Sequence, residues 1–139
     1  MSIKVLVANR GEIACRILRA CREAGHPTVA VCAANDVGGL FTEMADEVVL
    51  LNGESIGETY LDQEQIIKAA LQTGATAVHP GFGFLSERAD FATAVDAAGL
   101  TWIGPSAMAI EKMGDKMTAR QTMRACLLYT SPSPRDCKT

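Results

Sequence analysis

One glycine-rich stretch, residues 78–87, carries the residue types best suited to ligand binding. Gly81 and Gly83 can adopt backbone angles that are closed to other residues, and without Cβ atoms they let another molecule approach the main chain. Successive amides in such a loop can form an anion-binding nest. We expect Ser86 to cap the helix that follows and Glu87 to lie in its first turn. The alternative is an ordinary strand-to-helix turn with two packed phenylalanines, since Gly–Pro turns are common.

Two further positions carry charges that could serve a binding site. Lys116 follows Gly114 in a turn, where an ammonium group can meet a phosphate; alternatively, it is a solvated surface lysine. Arg10 and Glu12 follow the first apolar run, and they could instead pair with each other or cap a helix. The dinucleotide fingerprint Gly-x-Gly-x-x-Gly is absent because that turn offers only Gly11, and a P-loop is absent too. No nucleophile lies beside a base, so no catalytic residue is assigned.

Short apolar runs alternate with helical patterns along the chain. The predicted strands are residues 3–8, 28–33, 47–51, 75–78 and 100–103, and the predicted helices are residues 13–24, 41–46, 62–73, 89–98 and 106–113. This alternation indicates an α/β fold, an open parallel sheet with helices on both faces. Ligands of such sheets bind at the carboxyl ends of the strands. Residues 9–12, the glycine loop (residues 79–87) and residues 104–106 are therefore expected to converge at one edge.

Helix ends and helix faces follow from individual residues. Asp62 is expected to begin a helix that Gly74 closes, and Ser106 is expected to cap a later one. The first helix should end at Gly25. Its predicted apolar face consists of Ile13, Ile17, Ala20, Cys21 and Ala24. Its charged residues lie mostly around the other side: Arg16, Arg19, Arg22 and Glu23.

Composition limits the class of protein. The 139 residues suffice for one domain with its own core, and 48% of them are apolar. No apolar run approaches the ~20 residues needed to span a bilayer, and the first residues lack the layout of a signal peptide. A net charge of −3 gives no reason to expect nucleic-acid or membrane binding. The five cysteines include no Cys-x-x-Cys pair, which indicates a reducing compartment, no disulfide framework and no metal site, and hence a cytoplasmic location.

The last residues differ in character from the rest of the chain. From Cys126 onward there is no helical or strand period, and Pro132 and Pro134 alternate with serines. A helix cannot continue through such prolines. The run also resembles translated adapter sequence. We therefore expect residues 1–125 to form the domain and residues 126–139 to be a non-native, disordered tail without function.

Several short motifs of one family occur in order along the chain. They are Val7-Ala8-Asn9-Arg10-Gly11-Glu12-Ile13-Ala14, Ala45-Asp46-Glu47, Tyr60-Leu61, His79-Pro80-Gly81-Phe82-Gly83-Phe84-Leu85-Ser86-Glu87, Phe91-Ala92, Gly104-Pro105-Ser106 and Met113-Gly114-Asp115-Lys116. Together they resemble the N-terminal domain of biotin carboxylase, as found in acetyl-CoA, propionyl-CoA, methylcrotonyl-CoA and pyruvate carboxylases. Any one motif is weak, but the series at this spacing is highly specific. The resemblance runs from Ile3 to about Ala125.

The resemblance implies a Rossmann-like, pre-ATP-grasp domain of a ligase. The implied reaction activates bicarbonate with ATP as carboxyphosphate and then carboxylates the ureido nitrogen of biotin. ATP, biotin and Mg²⁺ are the implied cofactors; a biotin carboxyl carrier domain, a carboxyltransferase and a second copy of the chain are the implied partners. In the family, most catalytic groups and the Mg²⁺ ligands lie in later parts, beyond this chain. We therefore expect the chain alone to be an inactive fragment with at most weak ATP affinity.

The resemblance also implies roles for a few residues. Lys116 matches the lysine that contacts the phosphates of ATP. Phe82 and Gly83 match the loop beside the biotin ureido ring, where many members have tyrosine in place of Phe82, and Glu87 lies in the same loop. Three positions match a homodimer interface of some bacterial members, or alternatively form a solvated helix face: Arg16, Arg19 and Glu23.

Two other classes of protein stay open from the sequence. One is another ATP-grasp ligase with the same type of N-terminal domain, such as a carbamoyl-phosphate or purine-pathway enzyme. The other is a non-catalytic nucleotide-binding or assembly domain that uses the charged face of the first helix. The long run from His79 to Glu87 argues against the first.

Overall fold

A five-stranded sheet is the central layer of the computed structural model, which describes residues 3–114. Its strands are β1 (Val5–Val7), β2 (Thr28–Ala33), β3 (Glu47–Leu51), β4 (Ala77–His79) and β5 (Thr101–Trp102). All pairings are parallel, in the order β3-β2-β1-β4-β5. The predicted open parallel sheet is therefore confirmed. Lys116 and residues 126–139 lie outside the described residues.

Helices join the strands in alternation. They are α1 (Gly11–Glu23), α2 (Leu40–Met44), α3 (Gln63–Thr73), α4 (Ala89–Ala97) and α5 (residues 107–114). Asp62 caps α3 by accepting a hydrogen bond from the Gln65 N–H at 3.3 Å. Gly74 ends α3 in the left-handed conformation, with φ of 76°. Ser106 caps α5, since its Oγ accepts from the Ala109 N–H at 3.2 Å, so these three predicted roles are confirmed.

Apolar side chains pack on both faces of the sheet. Val5 and Val7 belong to one buried cluster with the inner residues of α1 and α2. Leu6 belongs to the other cluster, which takes its helical residues from α3 and α4. Successive side chains of a strand point to opposite faces, so this short strand supplies both cores. The predicted placement of helices on both faces of the sheet is confirmed.

The buried face of α1 differs from the predicted one. Ala14, Cys15 and Leu18 are the buried residues, whereas Ala20 and Ala24 are exposed. These two alanines line an open groove beside Ile3, Ile103 and other residues, while α1 packs mainly over β1 and β2. Two adjacent apolar stripes run along this helix, and periodicity does not tell which of them the sheet covers. Of the predicted face, Ile17 and Cys21 pack against the buried cluster in partly buried positions, whereas the prediction was wrong for Ala20 and Ala24.

Element ends differ from the predicted ones by one or two residues. β1 and β5 are shorter than predicted, and β4 ends at His79 because that residue pairs with Val7 of β1. α2 begins one residue earlier than the predicted helical turn, at Leu40. Such offsets are expected, because the apolar pattern continues past the last ladder hydrogen bond.

Candidate functional site

The strand order of the sheet reverses between β1 and β4. Strands β1, β2 and β3 follow one another towards one side, whereas β4 and β5 extend from β1 to the other. A crevice opens at the carboxyl ends of the strands where such a reversal occurs, and ligands of open α/β sheets bind there. The turn after β1 and the glycine loop after β4 meet at this point. The predicted convergence of these two segments is confirmed.

Asn9 occupies the crevice between these two segments. Its side-chain Nδ2 donates hydrogen bonds to the carbonyl oxygens of Pro80 at 2.9 Å and Phe82 at 2.8 Å. Its Oδ1 accepts from the Arg10 N–H at 2.8 Å. Only 2% of Asn9 is exposed. A buried amide with all its donors used holds neighbouring main chain in one arrangement, because breaking those bonds would leave buried polar groups unpaired.

The two glycines of the loop have different roles. Gly81 has φ of 71°, and a Cβ on it would lie 2.6 Å from Nδ2 of Asn9. The missing side chain of Gly81 therefore makes room for the protein's own Asn9, and the expectation that an outside molecule approaches the main chain there stays a prediction. Gly83 has φ of 70°, and a Cβ on it would meet nothing within 4 Å. Among residues 3–114, none accepts a hydrogen bond from the Phe82 or Gly83 N–H, so the predicted anion nest stays a prediction.

Phe84 is held in an unusual backbone conformation. Its φ is 48°, the one positive value among the described residues other than glycine. Its ring stacks on that of Tyr60, with centroids 5.4 Å apart and an interplanar angle of 18°. The guanidinium carbon of Arg10 lies 5.7 Å from the Tyr60 centroid and 5.9 Å from the Phe84 centroid. These aromatic and cation–π contacts offset the strain of the left-handed conformation, which is of order 1–3 kcal/mol.

Asp36 connects this group to the end of β2. The Tyr60 hydroxyl donates to Oδ2 of Asp36 at 2.7 Å and accepts from the Ala33 N–H at 3.1 Å. Burial raises the pKa of Tyr60 well above its usual range, and the hydrogen bond to Asp36 and its negative charge raise it further. Nη1 of Arg10 lies 3.4 Å from the same carboxylate oxygen. Arg10 thus pairs with Asp36 rather than with Glu12, and we call Asn9, Arg10, Asp36 and Tyr60 the anchoring cluster.

His79 completes the inner side of the glycine loop. Its Nδ1 accepts a hydrogen bond from the Gly81 N–H at 3.1 Å. Burial lowers the pKa of His79. A neutral imidazole is the form that offers a lone pair on Nδ1, so the titration behaviour and the hydrogen bond agree.

A partly open cavity lies on the outer side of the glycine loop, between the loop and α5. Its volume is about 340 Å³, within the range of small-molecule sites. It is lined by Gly81, Phe82, Ser86, Glu87, Pro105, Ile110, Met113 and Gly114. The structure thus brings two of the predicted site residues, Phe82 and Glu87, to one cavity, and it leaves Gly83 outside the lining. Lys116 follows Gly114 by two positions in the sequence.

Two predicted roles at the end of the loop were wrong. Ser86 does not cap α4: its hydroxyl donates to the Gly83 carbonyl at 2.6 Å, inside the 3₁₀ segment Phe84–Glu87. Glu87 ends that segment, and the acidic residue in the first turn of α4 is Asp90. The 3₁₀ segment forms the end of the glycine loop, and α4 begins after it, at Ala89.

The predicted interface residues lie on α1. Arg16, Arg19 and Glu23 are exposed and share one face of the helix at spacings of three and four residues. Arg16 and Arg19 line a second, wider cavity of about 990 Å³, between α1 and the segment that leads from β2 into α2. Glu23 is not part of that lining. The structure therefore brings the two arginines together and presents them to the outside.

Other kinds of site receive no support from residues 3–114. That range contains no group of three or more His, Cys, Asp and Glu side chains placed to hold a metal ion. None of its helices combines the length and apolar character required to cross a bilayer. The three cysteines within it, Cys15, Cys21 and Cys32, have free thiols.

The sequence-based reasoning missed the anchoring cluster as a unit. Asn9 and Tyr60 were part of recognisable motifs but had no assigned role, and Asp36 was not singled out. One signal was available: Asn9 directly follows an apolar run predicted to be a strand of the sheet, and a polar side chain buried there needs hydrogen-bond partners. Its partners lie 71 and 73 positions further along the chain, which no local pattern shows.

Comparison with known proteins places these features in one family. Residues 1–110 match the family model described as biotin carboxylase, N-terminal domain. The chain is 52% identical over 134 residues to the biotin-dependent acyl-coenzyme A carboxylase alpha3 subunit of Mycobacterium leprae. The aligned segment covers 94% of this chain and 22% of that protein. It is 50% identical over 121 residues to biotin carboxylase 1 of Bacillus subtilis, and that aligned segment covers 87% of this chain and 27% of that protein.

Solved structures give the same result. The biotin carboxylase domain dimer of Hydrogenobacter thermophilus 2-oxoglutarate carboxylase, in complex with MgADP and bicarbonate, superposes with a TM-score of 0.79 and 46% identity. The match covers 91% of this chain and 28% of that one. The chain thus spans between about a fifth and a third of the length of these relatives. With a family model that matches most of its length, the chain belongs to the biotin carboxylase N-terminal domain family.

Proposed function

We propose that this chain forms the N-terminal part of a biotin carboxylase, which carboxylates biotin with bicarbonate and ATP. The observation that carries the proposal is the cavity between the glycine loop and α5, lined by Phe82 and Glu87. Its lining contains two carbon-rich side chains from α5, Ile110 and Met113, beside the one carboxylate. An apolar wall with a few polar groups is the usual composition of a site for a small organic ring.

Within this proposal, each predicted residue has a distinct role. Phe82, which is 75% exposed, and Gly83 lie beside the ureido ring of biotin, and Glu87 supplies a charge to the same cavity. Lys116 contacts the phosphates of ATP. Mg²⁺ binds with the nucleotide through residues from later parts of the protein. The MgADP and bicarbonate in the Hydrogenobacter thermophilus domain support this set of ligands.

We extend the proposal to partners. A biotin carboxyl carrier domain delivers biotin, a carboxyltransferase receives the carboxyl group, and two copies associate through the exposed face of α1. Arg16, Arg19 and Glu23 provide opposite charges on that face, which a symmetric contact can pair across a two-fold axis. The dimeric state of the Hydrogenobacter thermophilus domain supports it. Cytoplasmic localisation stays a prediction from the sequence.

A chimeric enzyme tests the proposed reaction. Residues 1–114 would replace the matching segment of Bacillus subtilis biotin carboxylase 1, and ATP hydrolysis would be measured with bicarbonate and free biotin. We expect hydrolysis that depends on bicarbonate and rises with biotin. A control chimera with the Mycobacterium leprae segment at the same junctions shows that the junctions are tolerated. An inactive first chimera beside an active control would contradict the proposal.

A second candidate function is assembly without catalysis, and the wide cavity at the two arginines of α1 favours it. The variant Arg19→Glu separates the two functions. If α1 serves only a dimer of an active enzyme, the variant chimera dissociates to monomers in analytical ultracentrifugation while the wild-type chimera hydrolyses ATP. If assembly is the whole function, the wild-type chimera dimerises but has no biotin-dependent hydrolysis.

A further inference from the structure

We propose that Asn9 and Tyr60 are positioning residues for the ligand site: they hold the glycine loop so that Phe82 faces the cavity in one fixed orientation. This inference rests on the proposed function for its catalytic consequence, but not for its structural part. The anchoring cluster contacts the inner side of the loop, whereas the cavity lies on the outer side. Its members therefore act on the ligand through the loop and not by contact.

Asn9 holds the main chain on both sides of Gly81. Asn9 donates to the carbonyl before Gly81 and to the carbonyl after it, Pro80 and Phe82. Both bonds come from one nitrogen, so a single buried group fixes two peptide planes. The second of these planes begins at Phe82, whose own side chain is 75% exposed. A side chain so little supported by packing keeps its direction only if its backbone is held.

A second anchor acts on Phe84, the residue after Gly83. Phe84 has a positive φ, and it is held by stacking on Tyr60 and by the Arg10 guanidinium. Tyr60 itself is fully buried and fixed through its hydroxyl to Asp36 and to the Ala33 N–H. The loop is thus fixed on both sides of Gly83, the residue that carries no side chain to hold it. Two separate anchors on a short loop leave Phe82 little freedom.

A single substitution can disrupt the anchoring of the loop by Asn9 without disrupting the pairing of the strands. Pairing of β1 with β4 depends on main-chain bonds such as that from the Ala8 N–H to the His79 carbonyl at 2.9 Å. Asn9→Asp keeps the side-chain shape and the acceptor for Arg10, but it replaces both N–H donors with an oxygen that faces two carbonyls. That change repels the loop and leaves the sheet ladder intact.

Hydrogen exchange on the full 139-residue chain tests the structural part. We expect the Gly81 and Ser86 amides to exchange about tenfold faster or more in Asn9→Asp, the scale on which losing a buried hydrogen bond shifts a local equilibrium. The matched control is Thr28→Val, which removes buried bonds to Asp46 at the opposite edge of the sheet. We expect it to leave loop exchange unchanged. Equal loop exchange in wild type and Asn9→Asp would overturn the proposal.

A milder variant keeps the test decisive if Asn9→Asp does not fold. Tyr60→Phe keeps the ring that stacks on Phe84 and removes only the hydroxyl. We expect the Ser86 amide to exchange about threefold faster or more, since one hydrogen bond of modest net strength is lost. Unchanged exchange at Ser86 in a folded Tyr60→Phe chain would overturn the role of Tyr60.

Kinetics of the chimera test the catalytic consequence. We expect Asn9→Asp to raise KM for biotin about tenfold while KM for ATP stays within about twofold, as for loss of positioning of one substrate. Thr28→Val should change neither. A loop released in hydrogen exchange but with unchanged KM for biotin would overturn the positioning role. An inactive wild-type chimera would contradict the proposed function instead, and hydrogen exchange would still decide the structural part.

Discussion

The two edges of the sheet are both held by polar side chains, but they leave different surfaces behind. At the amino edge, Thr28 exchanges hydrogen bonds with Asp46, and Lys4 pairs with Glu47 and donates to the Thr73 carbonyl at 2.7 Å. The bonds of Thr28 and the Lys4–Glu47 pair join the starts of strands, and the bond to Thr73 joins the start of β1 to the end of α3. At the carboxyl edge, the anchoring cluster joins the ends of strands to a loop whose outer side is open. Polar bonds thus fix the framework at one edge and a ligand-facing surface at the other.

This difference separates loss of stability from loss of function. A substitution at the amino edge should reduce the free energy of unfolding and leave the cavity unchanged. A substitution at the carboxyl edge should reduce the free energy of unfolding and also impair the ligand site, and one on the outer side of the loop should affect function alone. Three predictions test this ordering, from the largest expected effect on stability to the smallest.

We expect Gly81→Ala to lower the free energy of unfolding by about 3 kcal/mol. A positive φ costs a residue with a Cβ about 1–2 kcal/mol, and displaced Asn9 loses two buried hydrogen bonds of about 1 kcal/mol each. Urea denaturation of the 139-residue chain measures the loss. The control is Gly74→Ala, which has φ of 76° but no neighbouring atom within 4 Å of the added Cβ, so only the conformational cost applies. Equal losses in the two variants would contradict the role of Asn9.

Tyr60→Phe should cost about 1–2 kcal/mol at neutral pH, because the Ala33 N–H and Asp36 lose their partner. The difference from wild type should also depend on pH. The pKa of Tyr60 is raised in the folded state, so its contribution is complete below the ordinary tyrosine pKa of about 10 and is lost as pH rises above that value. Urea denaturation of both chains between about pH 8 and 11 should therefore show them converging at the alkaline end.

Tyr129 is present in both chains, so its titration cancels in the comparison. A stability difference between the two chains that stays constant across this pH range would contradict a raised pKa of Tyr60 in the folded state. A difference that grows with pH would reverse the sign expected from the raised pKa.

Phe82→Ala should change the free energy of unfolding by less than about 0.5 kcal/mol, because a mostly exposed side chain contributes little to the core. Its effect should appear in the chimera as a higher KM for biotin. Met108→Ala is the matched control, since Met108 is 66% exposed and lies on α5 outside the cavity lining. If both variants raise KM for biotin equally, the effect belongs to exposed apolar surface in general and not to the loop.

Much of the fold could be predicted because its signals are local. The apolar runs gave all five strands, and Asp62, Gly74 and Ser106 marked helix ends by mechanisms that act within four residues. The buried face of α1 could be predicted only in part, since two apolar stripes adjoin and packing against β1 and β2 buries Ala14, Cys15 and Leu18 more fully than the predicted Ile17 and Cys21. The role of Ser86 failed for a related reason: a 3₁₀ turn satisfied its hydroxyl before α4 began.

The candidate site was predictable in position but not in construction. The alternation of strands and helices placed the three turns at one edge of a parallel sheet, and the motif resemblance singled out Phe82 and Glu87, which line one cavity. What lies behind the loop was not predictable, because Asn9 and Tyr60 act through partners that are distant in sequence. Gly81 shows the limit well: its residue type signalled a close approach, but only the structure shows that the approaching group is Asn9.

The long separation between Asn9 and its acceptors has a consequence for how the chain is made. Asn9 leaves the ribosome about seventy residues before Pro80 and Phe82, so its amide donors stay solvated until β4 docks beside β1. Closing so long a loop is an entropic cost that must be met before these bonds can form. The ligand-facing loop is therefore expected to be among the last parts of the domain to acquire its native shape during synthesis. A nascent chain that ends before Ala77 would contain the first three strands but neither β4 nor the two carbonyl groups that Asn9 binds.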